Sequence, residues 1–198
     1  NDNGEFDKKG KIIGHAGELI KIADKTADPQ ANALLKPYKD KVEEIKNSPT
    51  EAVAQKALTS PRDGGDRAKP SVRKNETKLG HLITDGMLDK AKEFNANTII
   101  AFQNGGGIRA DINEGPITLG EILTVLPFGN TLATMELTGA EIEEALEHSV
   151  RLATAENGGF LHVSGMKFTY DSTKAAGNRV QTMEVKNTDG SYSNIQLS

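Results

Sequence analysis

Apolar residues in this chain recur in two rhythms, and the switches between them mark out the elements. From Asp28-Pro29 to about Asn47, the residues Ala31, Leu34, Leu35, Tyr38, Val42 and Ile45 fall three and four apart, which sets them on one face of an amphipathic helix. Pro29 suits the first turn of that helix and Pro49 lies past its end. A second stripe of Leu79, Leu82, Ile83, Met87, Leu88 and Ala91 predicts a helix from near Asn75 to about Phe94. Gly80 and Gly86 interrupt it, each at ~1 kcal/mol relative to alanine, and glycines so placed permit close packing. Two capping-box spacings follow. Thr118-Leu119-Gly120-Glu121 opens a short helix that must stop by Pro127, and Thr138-Gly139-Ala140-Glu141 opens one carrying Ile142, Ala145, Leu146, Ser149, Val150 and Leu152.

Period-two and β-branched runs alternate with these helices. Thr98 to Phe102 reads as a buried strand, Thr131 to Leu137 as another, and Phe160 to Tyr170 and Arg179 to Val185 as two more. Thr188-Asp189-Gly190 offers a hairpin turn into Ser191 to Leu197. Residues 10 to 22 hold two short apolar runs, a strand pair or one bent strand at the periphery, and Ser60 to Pro70 reads as a loop. The expectation is a layered domain of the α/β or α+β kind without internal repeat.

Composition narrows the possibilities only in part. A chain of 198 residues can bury roughly 70% of its unfolded surface, enough for a real core. Its 24 Lys plus Arg against 28 Asp plus Glu give a net charge of −4, so no general attraction to nucleic acid is expected and any anion is held locally. The lack of cysteine excludes disulfides, thiolate zinc sites and a cysteine nucleophile, and suits either the cytosol or a secreted bacterial protein. No window approaches the ~18 apolar residues of a membrane span. Asn1-Asp2-Asn3-Gly4-Glu5 has neither an initiator Met nor an apolar signal core, as expected of a mature or excised fragment.

The richest chemistry lies in Asn104-Gly105-Gly106-Gly107-Ile108-Arg109, directly after an apolar stretch. Consecutive glycines cost backbone entropy, so they point to close approach by something else. A ligand is one candidate, because such a turn exposes N–H groups and an adjacent arginine suits phosphate or carboxylate. A tight turn with a surface arginine is the other. Phe128, between Pro127 and Gly129, is either a loop ring offered to a planar ligand or an anchor plugged into the core. The run lacks the Gly-Lys-Ser/Thr ending of a P-loop. His15, His81, His148 and His162 are widely separated and show no metal-ligand spacing. Glu141, Glu143, Glu144 and Glu147 read as the solvated face of a helix.

Taken in order, Val72 to Gly80, Leu82 to Asp85, Asn104 to Arg109, Gly115-Pro116-Ile117-Thr118, Leu126 to Asn130, Leu137-Thr138-Gly139 and Val163-Ser164-Gly165 resemble the successive blocks of the C-terminal domain of 5'-nucleotidases. Order and spacing agree over residues of about 72 to 171. The resemblance implies a mixed, layered α/β/β/α-type sandwich that binds a nucleoside monophosphate or nucleoside. It implies that Arg109 and Arg73 contact phosphate or the ribose-phosphate edge, with Asn104 alongside. Phe128 would stack on the base, Asn130 would bond near it, and Gly158-Gly159 would supply backbone to the pocket.

It further implies an N-terminal metallophosphoesterase domain in the same protein, holding two divalent metal ions. No cofactor, catalytic residue or metal ligand is expected on this chain, which alone would be inactive. The family also carries a later Gly-Gly-Asp-Gly segment with a second stacking aromatic, and Ser198 precedes any such segment. Residues 1–27 are then the end of the catalytic domain or linker strands, 28–50 a linker helix, and 51–198 the C-terminal domain cut before its last segment. The implied address is extracellular, cell-wall-associated or periplasmic in a bacterium. Rival readings are a free-standing module that binds nucleotides or another phosphorylated ligand, and a structural domain with Phe128 buried and Arg109 in an internal ion pair.

Overall fold

Spacings of three and four become helix wherever a cap starts them, and the computed structural model, which describes residues 3–17, 19, 21, 23 and 25–197, follows that rule. The chain divides into two compact units, Asn1–Glu43 and Glu44–Ser198. In the first, β1 (Asn3–Phe6) pairs antiparallel with β2 (Ile12–Ala16). The earlier of the two expected apolar runs is thus a strand, but its partner lies upstream. The later run falls partly outside the described residues. Helix α1 (Pro29–Lys46) begins at the expected proline and buries none of its residues.

The second unit holds the rest. β3 (Pro49–Ala54) pairs antiparallel with β5 (Gly115–Thr118), and β4 (Ala101–Asn104) with β6 (Leu161–Ser164). β7 (Met166–Tyr170), β8 (Val180–Lys186) and β9 (Tyr192–Asn194) form an antiparallel sheet in that order. Helix α2 (Lys78–Phe94) packs on β4 and β6, α3 (Leu119–Val125) follows β5, and α4 (Gly139–Val150) packs on β8. Helices and sheets are mixed, as expected.

Local chemistry explains the helix starts. Thr118 and Thr138 each accept a hydrogen bond from the N–H of the glutamate three residues on, and Glu121 and Glu141 accept in return from the threonine N–H at 3.0 and 2.7 Å. Those bonds hold both glutamates below the ordinary carboxylate pKa. Thr77 caps α2 through the N–H of Gly80.

Packing divides into two clusters. Ala54, Val72, Leu79, Ile108, Ile112, Ile117 and Val125 form one, and Ile142, Leu146, Met166 and Met183 the other. The first sits beneath the glycine run, which it fixes through Val72 and Ile108.

Several strands differ from expectation. Thr131 to Leu137 forms no strand, because no other segment hydrogen-bonds to it among the described residues. The strand expected at Thr98–Phe102 lies later, at Ala101–Asn104, where β6 supplies the ladder. Gly165, at φ +74°, breaks the run Phe160 to Tyr170 into β6 and β7. No helix among the described residues is long and apolar enough to cross a membrane.

Candidate functional site

Strand β4 ends at Asn104 and hands the chain to a 3-10 turn, Gly105–Gly107. None of these glycines has positive φ, so their reason is space. A Cβ on Gly105 would stand 2.3 Å from the Val72 carbonyl oxygen, and one on Gly106 would stand 2.8 Å from that of Gly158. The close approach anticipated from a ligand is made by the chain's own backbone.

The amides of Gly105 and Gly106, and those of Ile108 and Arg109 just after the turn, are committed in the same way. Gly105 N–H donates to Phe160 O at 2.7 Å, Gly106 to Gly158 O at 2.9 Å, Ile108 to Gly105 O at 3.3 Å and Arg109 to Val125 O at 2.8 Å. The expectation that this turn offers those N–H groups to an anion is therefore corrected. Around the turn stand the side chains of Arg73, Asn104, Arg109 and Phe128.

Those side chains converge. Arg109 is exposed, donates weakly from Nη1 to Gly106 O at 3.4 Å, and holds its guanidinium carbon 6.0 Å from the ring centroid of Phe128. Phe128 is 53% exposed, which excludes the buried anchor. Arg73 follows Val72 beneath the turn; its carbonyl accepts from Asn157 N–H at 2.9 Å and its Nε is buried without a hydrogen-bond partner. Asn104 Nδ2 donates to Gly158 O at 2.9 Å, and Gly159 N–H donates to Asn157 Oδ1 at 3.0 Å. Arg73, Asn104, Arg109, Phe128 and the Gly158-Gly159 turn thus share one neighbourhood. Asn130 is exposed two residues past Phe128, and no hydrogen bond ties it to the turn among the described residues.

Two residues were not visible in the sequence pattern. Arg62, in the loop before α2, donates from Nη2 to Ile108 O at 2.7 Å. His162 is buried on β6 and bonds through Nε2 to Val72 O at 2.9 Å, with its ring against Gly80 of α2. A loop arginine and a lone strand histidine carry no periodic signal, so only the long-range contacts reveal them.

Charge around the turn is unbalanced. Partial burial lowers the pKa of Arg62, with Arg73 and Arg109 adding repulsion against the attraction of Glu156 and Asp111. The hydroxyl of Ser71, donating at 2.5 Å, holds Glu156 below its ordinary value. Among the described residues Arg62, Arg73 and Arg109 stand in no ion pair. Nor does any group of three or more His, Asp or Glu among the described residues suit a metal ion. The arrangement can hold an anion beside a flat apolar surface.

The sequence model of the family described as 5'-nucleotidase, C-terminal domain, matches residues 53–194. The chain belongs to that family. It is 41% identical over 190 residues to the trifunctional nucleotide phosphoesterase protein YfkN of Bacillus subtilis (strain 168), covering 93% of this chain and 12% of that protein. To the 5'-nucleotidase of Bos taurus it is 31% identical over 190 residues, covering 91% and 32%. The crystal structure of a 5'-nucleotidase precursor from Thermus thermophilus superimposes with a TM-score of 0.72 at 43% identity, covering 98% of this chain and 37% of that one. These 5'-nucleotidase C-terminal domain relatives are much longer proteins, of which the chain spans between 12% and 37%.

Proposed function

We propose that this chain is the nucleotide-recognition domain of a metal-dependent 5'-nucleotidase that hydrolyses nucleoside monophosphates. One observation carries the reading: an exposed guanidinium, Arg109, lies over a half-exposed loop ring, Phe128, beside a turn whose other neighbours include Arg73. Phe128 stacks on the base, a contact worth ~1–3 kcal/mol and tolerant of base identity. Arg109 and Arg73 take the anionic end, where a planar fork matches phosphate. Asn104, Asn130 and the Gly158-Gly159 backbone border the ligand.

Chemistry belongs to an N-terminal metallophosphoesterase domain of the same protein, where two divalent ions activate water and neutralise charge on phosphorus. This chain supplies recognition and is inactive by itself. The Bacillus relative is named a trifunctional nucleotide phosphoesterase protein, which supports nucleotides as the substrate class; activity on 2',3'-cyclic nucleotides belongs to the same proposal. Residues 1–27 close the catalytic domain, 28–50 link it, and 51–198 belong to the recognition domain. The protein works outside the cell, at the wall or in the periplasm of a bacterium.

Steady-state kinetics of the complete protein test the reading. Phe128→Ala is expected to raise KM for a nucleoside monophosphate about tenfold or more, and to leave hydrolysis of a phosphomonoester without a base unchanged. Equal kinetics of wild type and variant on the nucleotide would remove the assignment.

A further inference from the structure

The loop from Ser60 to Pro70 has no apolar stripe, yet it is pinned to the candidate site from both sides. Val72 N–H donates to Pro61 O at 3.0 Å, one residue before Arg62 and one before Arg73. Arg62 Nη2 donates to the carbonyl of Ile108, the residue before Arg109, at 2.7 Å. Asp63 is held by a buried ion pair with Lys74 at 2.7 Å, which locks the loop at the next position. Three bonds therefore draw Arg62, Arg73 and Arg109 together from separate stretches of chain.

The nearby acids do not neutralise them directly. Glu156 Oε1 accepts from Ser71 Oγ at 2.5 Å and from Asp63 N–H at 2.9 Å. Asp111 Oδ1 accepts from Ser60 N–H at 2.5 Å and Ser60 Oγ at 3.0 Å. In a chain of net charge −4, three guanidiniums without ion pairs among the described residues are a local excess of positive charge. Their repulsion opposes folding and is relieved by a bound anion. Arg62 gives its short bond to the Ile108 carbonyl and a long one, 3.5 Å from Nη1, to Pro61 O, and its exposed five-donor fork keeps further N–H groups for a ligand.

We propose that Arg62 is a third cationic contact for the anionic end of the ligand and sets a preference for a doubly charged phosphomonoester over a singly charged cyclic phosphodiester. This rests on the nucleotide-recognition reading. A phosphomonoester carries close to two charges at neutral pH, so each added cation favours it more than it favours a monoanion. A neutral nucleoside gains nothing from the same charge.

Binding of a nucleoside 5'-monophosphate, the 2',3'-cyclic monophosphate and the free nucleoside to the chain, followed by NMR titration at low ionic strength, tests this. Arg62→Gln is expected to weaken the 5'-monophosphate about three- to tenfold, the cyclic ligand by a smaller factor and the nucleoside not at all. Arg62→Lys keeps the charge and should restore most of the loss; a role confined to clamping Ile108 predicts that Arg62→Gln weakens the nucleoside as much as the charged ligands. Equal effects on all three ligands, or none on any, overturn the proposal. If Phe128→Ala weakens the nucleoside while Arg62→Gln leaves the 5'-monophosphate untouched, the third contact fails and the recognition reading stands. If Arg62→Gln weakens only the charged ligands while Phe128→Ala changes nothing, the anion contact stands and base stacking fails. A wild-type chain that binds none of the three overturns both.

Discussion

The guanidinium carbon of Arg109 lies 6.0 Å from the centre of the Phe128 ring. Both side chains are exposed, so the contact is at the outer range of a cation–π pair and worth ~0.5–1 kcal/mol at most. The fold does not depend on it. Arg109→Gln and Phe128→Ala are each expected to change unfolding free energy by less than about 1 kcal/mol in urea titrations, while both weaken nucleotide binding. A large loss of stability in either variant would return the pair to a structural role.

Two glycines in α2 should respond to alanine with opposite signs. A Cβ on Gly80 would stand 2.0 Å from His162 Nδ1, and that ring is buried, bonded to Val72 O and set edge-on to Phe160. Gly80→Ala must displace it and is expected to cost about 1–3 kcal/mol despite better helix propensity. Gly86 has nothing within 4 Å of the added atom. Gly86→Ala should therefore stabilise by about 0.5–1 kcal/mol. Thermal or chemical unfolding of the two single variants checks both signs.

His162 gives the fold a dependence on pH near neutrality. Burial pushes its pKa below the ordinary 6.5, with His81 lowering it further and the Val72 carbonyl and Glu76 opposing. Nε2 faces that carbonyl, and Nδ1 is buried without a partner, so a second ring proton finds no acceptor. The folded state resists a proton that the unfolded state accepts near 6.5, so stability is greatest above that value. It falls as the pH drops below it, by up to about 1.36 kcal/mol per unit, until the folded-state pKa is reached. Asp63, Glu121, Glu141 and Glu156 have lowered pKa values and act only below their ordinary values of 3.8 to 4.5. Urea midpoints between about pH 7.5 and 5.5 are expected to decline in wild type and to decline less in His162→Gln. Parallel slopes would remove His162 as the cause.

What the sequence revealed was mostly local or collective. Thr118, Glu121, Thr138 and Glu141 lie three residues apart in pairs, and such reciprocal bonds can be read without knowing the rest of the chain. The ordered blocks from Val72 to Gly165 pointed to the family, which the match over residues 53–194 bears out. Long-range pairing was not legible. β3 meets β5 across an interval in which Pro49 faces Thr118, and Thr131 to Leu137 has a strand-like pattern but no partner among the described residues. Gly105 illustrates the difference best: its crowding was visible as a glycine run, but the neighbour proved to be the Val72 carbonyl. Arg62 reaches the turn from 46 residues away, so nothing in its own loop announces it.

A crystal structure of the complete protein with a bound nucleoside monophosphate tests the central claim most directly. The base should lie flat against Phe128, with its charged end within hydrogen-bond reach of Arg109 or Arg73. A nucleotide bound with its base elsewhere and neither arginine near its phosphate would contradict the account.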